Sequence, residues 1–185
     1  MKYSYTFIKV FLILIFFIPH ITIAQEEEAG EKGLDNESEE FRHFISLSFG
    51  YTYIPGGAEP GDTEADGFLV PSIGLDYMYK VAPRWEVGTM MDVELDHYLI
   101  VHKDLERENA FIATIVGLYK VTPRFSLFVG GGIEIESNEN LGVFRMGADS
   151  PIPLGRDWIL APTAIFDFKE GYGTLSLALA IGKEF

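Results

Sequence analysis

The sequence predicts an all-β fold, an eight-stranded antiparallel up-and-down transmembrane β-barrel, from three observations. From Phe44 onward apolar residues alternate with polar or small ones, the period-two pattern of strands with one apolar face. The segments between these stretches fall into long polar connections and tight proline turns, as in a membrane barrel with short turns on one side. The final stretch, TLSLALAIGKEF, alternates up to a terminal aromatic residue, Phe185.

The first 24 residues stand apart from this pattern. Lys2 and Lys9 form a basic start, Val10 to Ile18 (VFLILIFFI) an apolar run, and Thr22-Ile23-Ala24 a small-residue cleavage site. This is the arrangement of a secretory signal, cut before Gln25; the apolar run is far short of the ~20 residues needed to span a bilayer. The 185-residue chain contains no cysteine, which excludes a lipid-anchored lipoprotein and any role for disulfides.

Loss of the two lysines takes the formal charge from −14 to −16. Residues 25–40 (QEEEAGEKGLDNESEE) contain eight acids, one lysine and a single large apolar residue, Leu34. Such a segment buries too little surface to order itself and is expected to be a disordered tail. The domain expectation is therefore a signal peptide over 1–24, an acidic tail over 25–40 and a barrel over 41–185. The acidic balance argues against a nucleic-acid partner.

The first strand is expected over 44–54, where Ile45, Leu47, Phe49, Tyr51 and Tyr53 share a face opposite Ser46, Ser48, Gly50 and Thr52. The others are expected over 68–80, 84–101, 109–121, 124–136, 141–149, 156–168 and 173–185. The stretch AFIATIVGLYK within 109–121 is apolar on both faces, so its facing stays open. PGGAEPGDTEADG and HKDLEREN read as long connections, whereas Val81-Ala82-Pro83 and Thr122-Pro123 read as tight turns. Two connections fit less well: SNEN is short for an outer loop, and DSPIPLG is long for a periplasmic turn.

An internal echo supports the hairpin register. YKVAPRW begins at Tyr79 and YKVTPRF at Tyr119, 40 residues later, about two strands plus one connection of each kind. The echo puts Tyr77, Tyr79, Trp85, Tyr119 and Phe125 at one height, with Trp158 joining them by position. That is the expectation of an interfacial aromatic girdle.

The last strand, through Leu175, Leu177, Leu179, Ile181 and Phe185, resembles the C-terminal insertion signal of outer-membrane β-barrel proteins. It departs from that signal at Lys183, where a lysine can snorkel at the water interface. Over 44–185 the chain resembles small eight-stranded outer-membrane barrels, in particular the porin-like "outer membrane protein β-barrel" families of Bacteroidetes-type bacteria. GVFRMGADSPIPLGRDWILAPTAIFDF, Gly142 to Phe168, carries much of that likeness. The resemblance implies an outer-membrane location, outer-membrane lipid as surroundings, and periplasmic chaperones and the barrel-assembly machinery as partners. It implies no activity, and leaves any ligand of the extracellular loops unspecified.

If the apolar face meets lipid, the other face fills the barrel with Asp76, Glu86, Asp92, Glu94, Asp96, Glu134, Glu136, Arg145 and Asp167. Eight strands enclose a lumen only wide enough for side chains, which argues against a diffusive porin. So many carboxylates need cations, water or protons. Arg145 is expected to neutralise Glu134 and Glu136 across SNEN. A packed polar plug is the plainer expectation, and a divalent-cation or cationic-ligand site at Asp92, Glu94 and Asp96 the sharper one.

The residues for catalysis are sparse. Beyond the signal only His43, His97 and His102 remain, and none has the base, acid and nucleophile spacing of a hydrolase. The pair His97 and His102 has an odd spacing that puts the two on opposite strand faces, against a zinc site. No cofactor or metal is implied and no enzyme is expected. The alternatives are a secreted or periplasmic lipocalin-like barrel with a small apolar ligand, and a lipid-modifying outer-membrane enzyme.

Overall fold

The computed structural model describes residues 42–62, 64 and 67–185; the expected signal peptide and acidic tail lie outside the described residues. In chain order the strands are β1 (His43–Ile54), β2 (Gly57–Ala58), β3 (Phe68–Ala82), β4 (Trp85–Glu94), β5 (His97–Ile100), β6 (Leu105–Glu108), β7 (Phe111–Thr122), β8 (Phe125–Ile135), β9 (Leu141–Asp149), β10 (Ile152–Gly155), β11 (Trp158–Lys169) and β12 (Tyr172–Glu184). Eight of them close an antiparallel barrel in the order β1-β3-β4-β7-β8-β9-β11-β12, sealed by pairing of β12 with β1. At the seam, outward Leu47, Phe49 and Tyr51 stand opposite Ile181, Leu179 and Leu177.

The turns after β3, β7 and β10 and the C-terminal residue lie at one end of the barrel; the two-residue turn Glu170-Gly171 between β11 and β12 lies at the other. The echoed turns are equivalent in detail: a register irregularity falls between Lys80 and Ala82 in the first and between Lys120 and Thr122 in the second. DSPIPLG is not a long turn. Its β10 continues alongside β11 beyond β9, and the reversal itself takes only Arg156 and Asp157, both left-handed at φ 52° and 67°. Two consecutive positive φ values match the twist of a two-residue hairpin.

The other end departs from expectation. The strand expected over 84–101 is broken after Glu94, and His97–Ile100 leaves the barrel to join β2 and β6 in a separate three-stranded sheet. Asp96 makes the break: its Oδ1 accepts from the His97 N–H at 2.8 Å, while its carbonyl accepts from Asn109 N at 3.1 Å. HKDLEREN is therefore not a plain loop. It holds a 3-10 turn, Val101–Lys103, closed by Asp104 at φ 52°, and then β6.

The open question over 109–121 is settled by register. Ile112 stands opposite Asp92 and Thr114 opposite Met90; Ile112, Thr114, Val116 and Leu118 are buried, and Ile115 points outward, 71% exposed. The outer face carries the large apolar side chains, among them Phe49, Tyr51, Val129, Phe144 and Leu179.

Inside the barrel, apolar and charged layers alternate. Ile54, Val70, Tyr98, Ile100, Leu141 and Tyr172 form an apolar cap at the loop end. Met78, Met90, Val116, Leu118, Phe128 and Ile165 form a second cluster toward the turns. The inward positions between these clusters hold the buried charges Asp92, Glu94, Glu134, Arg145, Asp167 and Lys169, together with hydroxyls such as Ser48, Thr52, Thr114 and Thr174.

Candidate functional site

Two ion-pair layers lie between the apolar clusters. In the upper layer, Lys169 Nζ is 2.8 Å from Glu94 and 2.6 Å from Glu134. Tyr98 donates its hydroxyl hydrogen to Glu94, and Tyr172 donates to Glu134 at 3.3 Å. Arg107, fully buried, reaches in from β6 to Glu134 at 2.5 Å, and also donates to Glu136 at 3.3 Å and to the Glu139 carbonyl at 2.5 Å. In the lower layer, Arg145 grips Asp167 through Nε and Nη2, both at 2.8 Å, and Asp92 through Nη1 at 2.5 Å.

This arrangement corrects the expected pairing of Arg145 with Glu134 and Glu136. Antiparallel register sets Arg145 directly opposite Asp167, and Glu134 is instead held by Arg107 and Lys169. Asp96 does not belong to the lumen; it caps the start of β5. The cation site expected at Asp92, Glu94 and Asp96 is corrected too, because Arg145, Lys169 and Tyr98 occupy the first two and Asp96 lies outside. Among the described residues no group of three or more His, Cys, Asp or Glu is placed to hold a metal ion.

The remaining expected lumen residues lie at different depths. Glu86 is at the turn end, paired with Lys120. Asp76 is buried below the Arg145 layer, where Ser46 Oγ donates to its Oδ2 at 3.1 Å. Glu136 sits at the loop-end rim, where it accepts from Ser137 Oγ at 2.6 Å and from Asn138 N at 2.8 Å.

Lys169 and Arg107 were not among the residues expected in the lumen. Lys169 had a signal, since alternation puts it on the same face as Asp167. Arg107 had none, because its connection read as exposed and only the tertiary fold turns it inward.

Electrostatics at the loop end follow from these contacts. Burial pushes the Tyr98 hydroxyl well above its ordinary value, and Glu94 adds to the effect. For Arg107 burial acts to lower the pKa, but Glu134 and Tyr172 outweigh it and hold the guanidinium above its ordinary value. At Glu136 burial acts upward, yet the bonds from Ser137 and Asn138 bring the carboxyl below its ordinary value.

The aromatic residues expected to form a girdle lie at the turn end. Trp85 and Tyr119 are paired in register with ring centroids 4.8 Å apart. Tyr77 bonds His43 Nδ1 at 2.9 Å, Tyr79 lies 5.2 Å from the His43 ring, and Phe185 stacks on that ring at 6.3 Å. Phe125 and Trp158 open β8 and β11 with exposed rings. On the last strand Leu175, Leu179, Ile181 and Phe185 are exposed and Leu177 half-buried. The histidines are dispersed: His97 lies 3.7 Å from Glu106 and His102 3.2 Å from the Gly171 carbonyl oxygen.

No family model matches the chain, and no curated protein matches its sequence. Solved structures do. The N-terminal β-barrel domain of Pseudomonas aeruginosa OprF aligns at 13% identity over 78% of this chain and 98% of that one, with a TM-score of 0.51. Neisserial surface protein A (NspA) aligns at 6% identity over 77% of this chain and 97% of that one, with a TM-score of 0.50. The fold is a transmembrane β-barrel. At these identities the likeness is one of architecture. The barrel's apolar exterior and charged interior are inverted relative to a water-soluble barrel.

Proposed function

We propose that this chain is a small outer-membrane β-barrel protein with a structural or surface-binding role, not a diffusive porin and not an enzyme. One observation carries the reading: Lys169 bridges Glu94 and Glu134 across the lumen, directly above the Arg145 layer. A lumen crossed by direct ion pairs leaves no continuous water path. The exterior and the loop-end sheet of β2, β5 and β6 are the surfaces left to meet membrane and extracellular partners.

In this reading the apolar exterior meets outer-membrane lipid, and the turn-end aromatics form the girdle at the periplasmic interface. The loop-end sheet faces outward from the cell. Leu175, Leu177, Leu179, Ile181 and Phe185 form the row read by periplasmic chaperones and the barrel-assembly machinery. Membership of the porin-like families of Bacteroidetes-type bacteria belongs to the same proposal. A secreted lipocalin-like carrier is disfavoured by the exterior, where residues such as Phe49, Ile115 and Leu179 would face water.

The test combines fractionation with conductance. The protein should stay with outer membranes after carbonate washing, migrate heat-modifiably on gels, and give no stable channel steps in planar bilayers. Recovery in the soluble fraction would sink the membrane reading, and stable conductance would sink the sealed lumen.

A further inference from the structure

The turn-end half of the lumen is not filled. A cavity of about 70 Å³ opens there, room for about five water molecules. Asp76 lies at its deep end, opposite Met90 and one inward position from the Gly74–Asp92 pair. Only 7% exposed, Asp76 lines the cavity; one of its oxygens is bonded by Ser46, while Oδ1 has no hydrogen-bond partner. Asp149 also lines the cavity, and its Oδ1 is likewise unpartnered.

The neighbouring cations are engaged elsewhere. Arg145 is held by Asp92 and Asp167. Among the described residues that line the cavity, Lys120 is the one cation, and it pairs with Glu86. Between the polar lining groups the wall is apolar and soft, formed in part by Met78, Met90 and Phe128. A buried carboxylate oxygen without a partner is costly, and a cationic ligand would supply what this site lacks.

We propose that this cavity binds a small organic cation, an ammonium group bearing a short apolar substituent, with Asp76 as its counter-charge. The ammonium pairs with the Asp76 carboxylate, with Asp149 adding negative potential nearer the mouth. The substituent lies along the thioethers of Met78 and Met90 and the ring of Phe128, which provide polarizable, adaptable contact. A divalent metal fits poorly, since such ions take six or more oxygen ligands and, among the described residues, the carboxylates lining the cavity do not converge in a group of three placed to hold one. Pro151 and Glu184 line the mouth, so the site opens at the turn end; that this is the periplasmic side rests on the outer-membrane reading.

The experiment is calorimetric titration of the full-length protein, folded in a nonionic detergent, with n-butylammonium, neutral n-butanol and Mg²⁺. Butylammonium should bind saturably at one site, and Asp76→Asn, which keeps the shape of the side chain, should weaken it at least tenfold. Ala161→Leu, which fills the cavity from its wall, should abolish binding with Asp76 intact, and decides the matter if the first variant does not fold. No saturable binding, equal binding of butanol, binding of Mg²⁺ in place of butylammonium, or no loss in the variants would each overturn the proposal. Binding in detergent does not depend on cellular location, so failure of the fractionation test and failure of this one are distinguishable.

Discussion

Lys169 on β11 and Glu94 on β4 stand four strands apart, on opposite walls of the eight-stranded barrel, yet their charged groups are 2.8 Å apart. Both are buried, and Lys169 also holds Glu134. Removing one partner of a buried pair leaves an uncompensated charge. Lys169→Met is therefore expected to destabilise the barrel by about 3–5 kcal/mol, read from urea unfolding in lipid vesicles. Adding Glu94→Gln and Glu134→Gln should recover much of that loss; failure to recover it would mean that the lysine stem, not its charge, carries the stability.

Arg145 offers a test of partner choice. Double-mutant cycles should give a coupling of about 0.5–3 kcal/mol between Arg145→Met and Asp167→Asn, and a value near zero between Arg145→Met and Glu134→Gln. The reverse result would return Arg145 to the partner that simple alternation suggests.

Arg107 fastens the loop-end arm to the barrel. Its hydrogen bonds to charged groups are each worth about 1.5–3 kcal/mol, so Arg107→Ala should raise amide exchange across residues 97–108 and leave the β1–β12 seam protected. Unchanged exchange in the arm would show that the apolar cap alone holds it down.

The same fastening should loosen in acid. Glu136 has its folded-state pKa below the ordinary 4.5. Its stabilising contribution is therefore complete above that ordinary value and disappears as pH falls through the lower folded one. Exchange in the arm, corrected for intrinsic rates and compared between pH 6 and pH 3, should show a larger loss of protection in the wild type than in Glu136→Gln. Equal losses would remove Glu136 from the account.

Ile115 separates a lipid-facing exterior from a water-facing one. It lies mid-strand on β7 and is 71% exposed. In a bilayer, Ile115→Arg should cost about 2–4 kcal/mol if the position is near the midplane. On a soluble barrel the same change should be nearly neutral, and a neutral result in vesicles would contradict the membrane reading.

Much of this architecture follows from the sequence because strand facing is a local property. Successive side chains point to opposite faces, so alternation alone assigns Asp76, Asp92, Glu94, Glu134, Arg145 and Asp167 to the interior one strand at a time. The repeated YKVAPRW and YKVTPRF likewise specify equivalent turns, since proline and the flanking aromatics act within a few residues. The stretch over 109–121 escaped this logic because both of its faces are apolar, and its facing came from pairing with β4. The break at Asp96 escaped it because the alternation of RWEVGTMMDVELD runs on past Glu94, whereas hydrogen bonds from His97 and Asn109 turn the chain away.

Charge pairing inside the lumen was decided by the tertiary structure alone. Which cation meets which acid depends on barrel closure and strand stagger, which bring Lys169 to Glu94 across four strands and set Arg145 opposite Asp167. Arg107 enters from a segment whose own pattern gives no inward face. On strands with one polar face, the sequence by itself determined which residues turn inward, because that requires only the alternation of one strand. Their partners were determined by the closed barrel, because a Coulombic contact depends on distance across the lumen and not on separation along the chain.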